Sequence, residues 1–225
     1  MDIHRLVDTF FNASIAAQYW PDILKGMQVT VVLGLAVIVS GLVLGLILAL
    51  LRSSERKWLN FPIVLFADVM RSLPPLVVII LLFFAFPYID LAMSAFTATW
   101  LALTLTLAAY AEESLWAGIS SVPRGQREAA RSSGLSWAQT MGWVIVPQAW
   151  RIALPSLTNR VIAIAKNTAL GSVVALSEII NNAQSASSNT GNPTPLVLGA
   201  LGYLAIFIPL VLFSRWLESR LAWKR

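Results

Sequence analysis

The chain has no cysteine. That excludes a disulfide framework and thiol chemistry. It has a single histidine, His4, too little for a histidine-built metal site or a nucleophile–histidine triad. Charge is scarce: Asp, Glu, Lys and Arg make up 12% of the 225 residues, against about 25% in a soluble domain. There is no G-x4-G-K-[ST] phosphate loop, so any ATP used must be bound by another polypeptide. No nucleophile–base constellation is visible, which makes an enzyme the weakest reading.

What the chain has in quantity is apolar sequence, 57% of all residues. It falls in five runs, at about 27–50, 61–86, 97–119, 156–180 and 196–213. Crossing a hydrocarbon core about 30 Å thick takes about 20 helical residues. The expectation is an all-α integral membrane protein of five transmembrane helices within 25–217, preceded by an outer-face segment at 1–24 and followed by a short tail at 218–225. In the first segment Ile3, Leu6, Val7, Phe10 and Phe11 recur at helical spacing, which fits either a helix lying in the membrane interface or a disordered leader. Tyr19 and Trp20 fit an interfacial belt. Asp2, Asp8 and Asp22 precede the first run with no small-residue cleavage site after it, unlike a secretory signal.

The net charge of +5 does not point to nucleic acid, because the basic residues sit beside apolar runs, where orientation rules explain them. In a five-span arrangement only Arg5 and Lys25 of the 16 basic residues lie outside. The N-terminus is then outside, and the end of the chain, with Arg215, Trp216, Arg220, Trp223, Lys224 and Arg225, is cytoplasmic.

Several positions inside the runs carry chemistry. Gly41 and Gly45 form a G-x-x-x-G pair suited to close helix contact. Asp68 and Arg71 lie three apart and can pair on one helical face. Pro74-Pro75 should kink the second span or start a new helix. Glu112 and Glu113 diverge by about 100° on a helix, either facing a cavity or partner or lying near the headgroups. Asn167, Thr168, Gly171 and Ser172 make a small polar face at α-helical spacing in the fourth span, beside Lys166, which is either a buried cation or a snorkelling lysine. The uncharged polar stretch 181–195 reads as an outer loop, and Pro209 as a kink in the last span.

The stretch 121–155 is the only long polar and charged segment, with Arg124, Arg127, Glu128, Arg131 and Arg151. Its grammar is helix, turn, helix. Pro123 suits a first turn, Ala129 and Ala130 sit among helix formers, and Gly134 can close the helix in a left-handed conformation. Ser136 with Gln139 makes a capping box, and Pro147 precedes an apolar return. A helix lying on the membrane surface is the plainer use of such a segment.

Glu128-Ala129-Ala130, then Gly134, then Val144-x-Val146-Pro147 resembles the E-A-A-x3-G-x9-I-x-L-P loop of permease subunits of ATP-binding-cassette importers, with valine at the Ile and Leu places. Arg71-Ser-Leu-Pro-Pro-Leu is similar to R-G-T-P-L-L of the polar amino acid branch. The run from Ala109-Tyr110 to Val122-Pro123 resembles A-Y-x-x-E-x-x-R-G-x-I-x-S-V-P, with Glu113 at the glutamate and Trp116 where arginine is common. Ile164 to Leu170 resembles L-x-x-L-K-[DN]-[TS]-[SA]-L.

This resemblance implies the type I importer (MetI-like) permease fold, with a cytoplasmic coupling helix between helices 3 and 4. It implies a subunit of the bacterial inner membrane that pairs with a second permease chain, two ATPase subunits and an extracytoplasmic solute-binding protein. No cofactor or metal is implied on this chain, since ATP and Mg would be held by the ATPase. The implied coupling residues are Arg127, Glu128, Ala129, Ala130, Gly134 and Pro147. Position suggests Arg71, Glu113, Lys166, Asn167, Thr168 and Ser172 for the substrate path. The implied activity is amino acid import by alternating access; the alternatives are the same fold carrying an opine or other small polar metabolite, and a membrane scaffold without transport.

Overall fold

A computed structural model of the chain describes residues 3–54 and 56–221, with side chains from Arg5 onward. Met1, Asp2, the His4 side chain, Trp223, Lys224 and Arg225 lie outside the described residues. The helices, in order, are α1 Ile3–Phe10, α2 Ala13–Arg52, α3 Lys57–Ser72, α4 Pro75–Ile80, α5 Ala95–Ser121, α6 Arg124–Ser132, α7 Trp137–Gln139, α8 Val146–Lys166, α9 Ile179–Thr190 and α10 Thr194–Leu221. No strand occurs among the described residues.

Among the described residues two stretches, Arg5–Arg52 and Thr194–Leu221, are long and apolar enough to cross a bilayer. Two bent pairs raise the number to as many as four: Lys57–Ser72 with Pro75–Ile89, bent by 101°, and Trp137–Val174 with Ile179–Thr190, bent by 45°. α5, 27 residues long, is not among them, because Thr97, Thr99, Thr104, Thr106, Glu112 and Glu113 interrupt its apolar run. All of these except Thr97 and Glu113 are buried within the chain.

The helix bounds differ from the sequence expectation in three places. α2 begins at Ala13, not near Met27, and runs unbroken through Pro21. Asn12 starts it, accepting from the N–H groups of Ser14 and Ile15 at 3.1 and 3.2 Å. The fourth long helix begins at Val146, not Ser156, so the end of the polar stretch is already helical. The expected loop at 181–195 is mostly helix: α9 occupies Ile179–Thr190, with Ala183 and Ala186 buried. Pro74-Pro75 breaks the second span outright, Pro74 standing before α4 and Pro75 at its first position.

The chain divides into two compact units. The first gathers the chain up to Val37 with Pro74–Leu103 and Ile164–Val211. Here α8 gives way to a 3₁₀ stretch, Asn167–Val174, closed by Ala175 in the left-handed region at φ 57°. A 3₁₀ turn eclipses residues three apart, so Thr168, Gly171 and Val174 form the buried face. The α-helical polar face expected of Asn167, Thr168, Gly171 and Ser172 is therefore not formed. A Cβ on Gly171 would stand 2.7 Å from the Leu176 side chain and 3.1 Å from Thr99 Oγ1. Gly26 brings α2 against the start of α9, where a Cβ would meet the Glu178 and Ile179 backbone at 2.9 Å. α1 is tied to the head of α10: Asn12 N–H donates to Thr194 Oγ1 at 3.1 Å, and Asn192 Nδ2 to the Asp8 carbonyl at 3.2 Å.

The second unit gathers Ile38–Leu73, Thr104–Ala163 and the chain from Leu212. Its core joins Ala49 of α2, Ala111, Leu115 and Ile119 of α5, Val122, Met141 and Ile145, and Ala149, Ala153 and Leu157 of α8. The glycine pair expected to seat a neighbouring helix does so against α5. A Cβ on Gly41 would lie 2.8 Å from the Leu107 side chain, and one on Gly45 2.5 Å from Ala111 Cβ and 2.9 Å from the Ala108 carbonyl. Backbone cannot yield as a side chain can, so Gly45 fixes the approach.

Candidate functional site

The segment after α5 folds as a knee. α6 ends with a double closure: Leu135 N–H donates to the Ala130 carbonyl at 3.2 Å and Gly134 N–H to the Arg131 carbonyl at 3.0 Å. This Schellman arrangement needs a left-handed residue, and Gly134 supplies it at φ 86°. A Cβ there would meet nothing within 4 Å, so the requirement for glycine is conformational alone. Arg131 Nη1 adds a bond to the Leu135 carbonyl at 3.0 Å. The next helix opens on the expected capping box: Gln139 N–H donates to Ser136 Oγ at 3.3 Å, and Ser136 N–H to Gln139 Oε1 at 2.8 Å. A cap of this kind stabilises by about 1 kcal/mol.

On α6 the two alanines part company. Ala130 is buried, 6% exposed, where α6 lies against the π turn Thr140–Ile145. Ala129 is exposed, as are Arg124, Gln126, Glu128 and Arg131, while Arg127 is half-buried. Trp116, Ile119, Ser120, Val122, Arg124, Arg127 and Ile145 line a hollow of about 240 Å³ behind the helix. Pro147 is exposed at the second position of α8, directly after the π turn Thr140–Ile145. The knee thus presents a short, rigid, mostly cationic helix with one carboxylate, Glu128, seated through a single small side chain.

Above the knee in the same unit, α5 is held by two adjacent carboxylates. Glu112 is fully buried and receives Arg52 Nη1 of α2 at 3.0 Å. The Arg52 guanidinium also lies 4.6 Å from the Trp116 ring centroid, a cation–π contact. The second oxygen of Glu112, Oε2, is buried without a hydrogen-bond partner. Glu113 points elsewhere, as the 100° divergence requires, and takes Arg71 Nη1 of α3 at 2.9 Å. Arg71 Nη2 reaches Asp68 at 2.6 Å, the i,i+3 pair anticipated from spacing. α8 joins through Ser114–Ser156 at 2.9 Å and through Arg160, 4.4 Å from the Tyr110 ring.

The remaining path candidates do not gather with these. Lys166 is exposed rather than buried, Asn167 and Ser172 are half-buried, and Thr168 is fully buried, spending its hydroxyl on the Ala165 carbonyl at 2.8 Å. They belong to the first unit, where sequence reading missed the main polar centre. Glu178 is fully buried before α9; its oxygens accept from Ile180 N–H at 3.0 Å, Asn181 N–H at 2.8 Å and the Tyr203 hydroxyl at 2.5 Å. A lone acid in the run VVALSEII was the available signal, since a carboxylate in such a setting needs a cap or a partner.

Residues 41–223 match the family model described as "Binding-protein-dependent transport system inner membrane component". The chain is 37% identical to the "Probable amino-acid ABC transporter permease protein YckA" of Bacillus subtilis (strain 168), over 94% of each chain. It is 35% identical to the "Histidine/lysine/arginine/ornithine transport system permease protein HisM" of Salmonella typhimurium, over 92% of this chain and 95% of that one. An amino acid ABC transporter solved with histidines superposes with a TM-score of 0.81 at 31% identity, covering 91% of this chain and 96% of that one. The inward-facing MetNI methionine transporter shares the fold, with a TM-score of 0.70 at 17% identity over 94% and 99% of the two chains. With its exposed cationic knee, and matched in sequence over nearly its whole length, the chain belongs to the inner-membrane permease subunits of binding-protein-dependent amino acid ABC importers.

Proposed function

We propose that the knee is the lever through which partner ATPases drive this permease, and that the chain moves a polar amino acid by alternating access. The observation that carries the reading is the pairing of the Gly134 Schellman closure with the Ser136–Gln139 box. Together they make α6 and the following turn a stiff unit whose outer face, with Glu128 and Ala129, is open to a partner. In this reading Ala129 permits close docking, Glu128 anchors by a charged hydrogen bond, Arg127 supports the docked face, and Pro147 starts the helix that the lever tilts. A lever works only if the partner's contacts differ between two states.

The proposal extends to five spans, with α5 counted as one, the N-terminus outside and the C-terminus in the cytoplasm. The outer segment is 1–24, the transmembrane domain 25–217 and the tail 218–225. The partners are a second permease chain, two ATPase subunits that hold ATP and Mg, and a solute-binding protein. A five-helix chain is small to line a gated path alone, so a two-fold or pseudo-two-fold pair is the physical expectation. Named relatives handle glutamine as well as histidine, lysine, arginine and ornithine, which supports a polar amino acid as cargo. Arg71 and Glu113 are the charged candidates along the path, with Lys166, Asn167, Thr168 and Ser172 in the other unit.

The test joins topology to coupling. A membrane-impermeant label on a cysteine at Gln126 should react only in inverted vesicles. A variant combining Gly134→Val with Glu128→Arg should hydrolyse ATP in the assembled complex without solute uptake. Labelling from outside intact cells, or normal uptake by the double variant, overturns the lever.

A further inference from the structure

A second hollow has Trp137 of the knee in its lining. Ile47, Leu50, Leu51 and Ser54 of the α2 end, Arg56 and Leu59 at the start of α3, and Trp137 of α7 enclose a groove of about 600 Å³. That size is within the range of small-ligand sites. The lining is almost wholly aliphatic and aromatic, with Arg56 as its cation. Ser54 already donates its hydroxyl to the Leu51 carbonyl, so it adds little polarity.

The groove sits between two apolar faces that point out of the chain. On α2, Val39, Val43, Ile47 and Leu51 are exposed at intervals of four. On α3, Trp58, Phe61 and Leu65 are exposed at helical spacing, Trp58 and Phe61 at 69% and 72%. Both faces meet at a helix–helix turn that presents exposed Arg56 and Lys57, with Glu55 the one acid between Arg52 and Lys57 in sequence. Arg52 is committed to Glu112. Apolar walls, Trp137 and Arg56 in the lining, and the exposed Lys57 next to Arg56 in the chain match the order of a phospholipid from tail to headgroup.

We propose that this groove is a binding site for an anionic phospholipid, one acyl chain lying along Ile47, Leu50, Leu51 and Leu59, and the phosphodiester held by Arg56 and Lys57. Guanidinium matches phosphate oxygens in a bidentate fork. The second cation gives preference for a headgroup of net negative charge over a zwitterionic one. Because Trp137 is the first residue of the helix that follows the Ser136 cap, a lipid seated here touches the knee directly.

The experiment measures lipid retained by the full chain, extracted with its ATPase partner from membranes and exchanged into detergent. Quantitative mass spectrometry counts phosphatidylglycerol and phosphatidylethanolamine per complex for the native protein, for R56Q/K57Q and for Leu59→Trp, which narrows the groove. The native complex should retain phosphatidylglycerol in excess. Loss of the two charges should lower that retention about ten- to thirtyfold and lower phosphatidylethanolamine less. Leu59→Trp should lower both alike. R56Q/K57Q changes only exposed side chains, so its folding is checked simply by an unaltered elution volume. Equal retention of the two lipids by the native complex overturns the proposal, as does unchanged phosphatidylglycerol in R56Q/K57Q. A photocrosslinker at Leu51 that captures a second permease chain or the ATPase in place of lipid also overturns it.

Discussion

Among the described residues each compact unit buries one carboxylate completely, and the two are held in opposite ways. Glu178 is surrounded by neutral donors: two backbone N–H groups and the Tyr203 hydroxyl. Both of its oxygens are in use. Glu112 is held by a full positive charge on Arg52, with its other oxygen left bare. The first is a cap, fixing where a broken helix restarts. The second is an ion pair, and burying one costs several kcal/mol per ion that hydrophobic packing would not. A satisfied network rigidifies, whereas a half-satisfied pair is easier to open. The comparison teaches that the buried charge beside the knee is the less settled of the two.

The largest break in this comparison comes from Arg52→Ala, which strands the Glu112 charge. It should lower the stability of the purified complex by about 3–5 kcal/mol, read as a fall in the denaturation midpoint. The paired variant R52M/E112L should recover most of that loss; failure to recover would show that the pair also holds α2 and α5 in register. Next comes Glu178→Ala, at about 2–3 kcal/mol, since it removes a cap and leaves the Tyr203 hydroxyl without its acceptor. Tyr203→Phe should cost only about 1 kcal/mol, because the backbone donors still hold Glu178; an equal loss from both would make the tyrosine, not the cap, the centre of that site. The smallest effect belongs to Arg71→Ala, whose partners Glu113 and Asp68 are 43% and 57% exposed. Water screens such pairs, so a change within about 1 kcal/mol is expected, measured on the same midpoint.

What the sequence made legible was local. Gly134, Ser136 and Gln139 declare the knee within a few residues of one another, and the structure forms each bond they suggest. The Asp68–Arg71 pair and the Gly41/Gly45 approach follow from helical spacing in the same way. What escaped was set by distance or by neighbours. Arg52 and Glu112 lie 60 positions apart, and no periodicity links them. The stretch from Asn181 to Thr190 is polar enough to read as loop, yet Glu178 caps it and Asn182 Nδ2 donates to the Asp22 carbonyl at 2.8 Å. Tertiary partners supplied what helix propensity did not. The 3₁₀ winding of Asn167–Val174 escaped as well, because the same residues carry an α pattern equally well until Gly171 is pressed against Leu176 and Thr99.

The joint between Ala130 and Gln139 closes much of its backbone on itself. Its carbonyls and N–H groups close on one another through Leu135, Gly134, Ser136 and Gln139, and only Ala130 and Thr140 onward sink into the bundle. A part assembled like this can be pulled without unravelling. In the lever proposed above, these closed ends are what would let a push on the outer surface reach the long helix behind it as displacement.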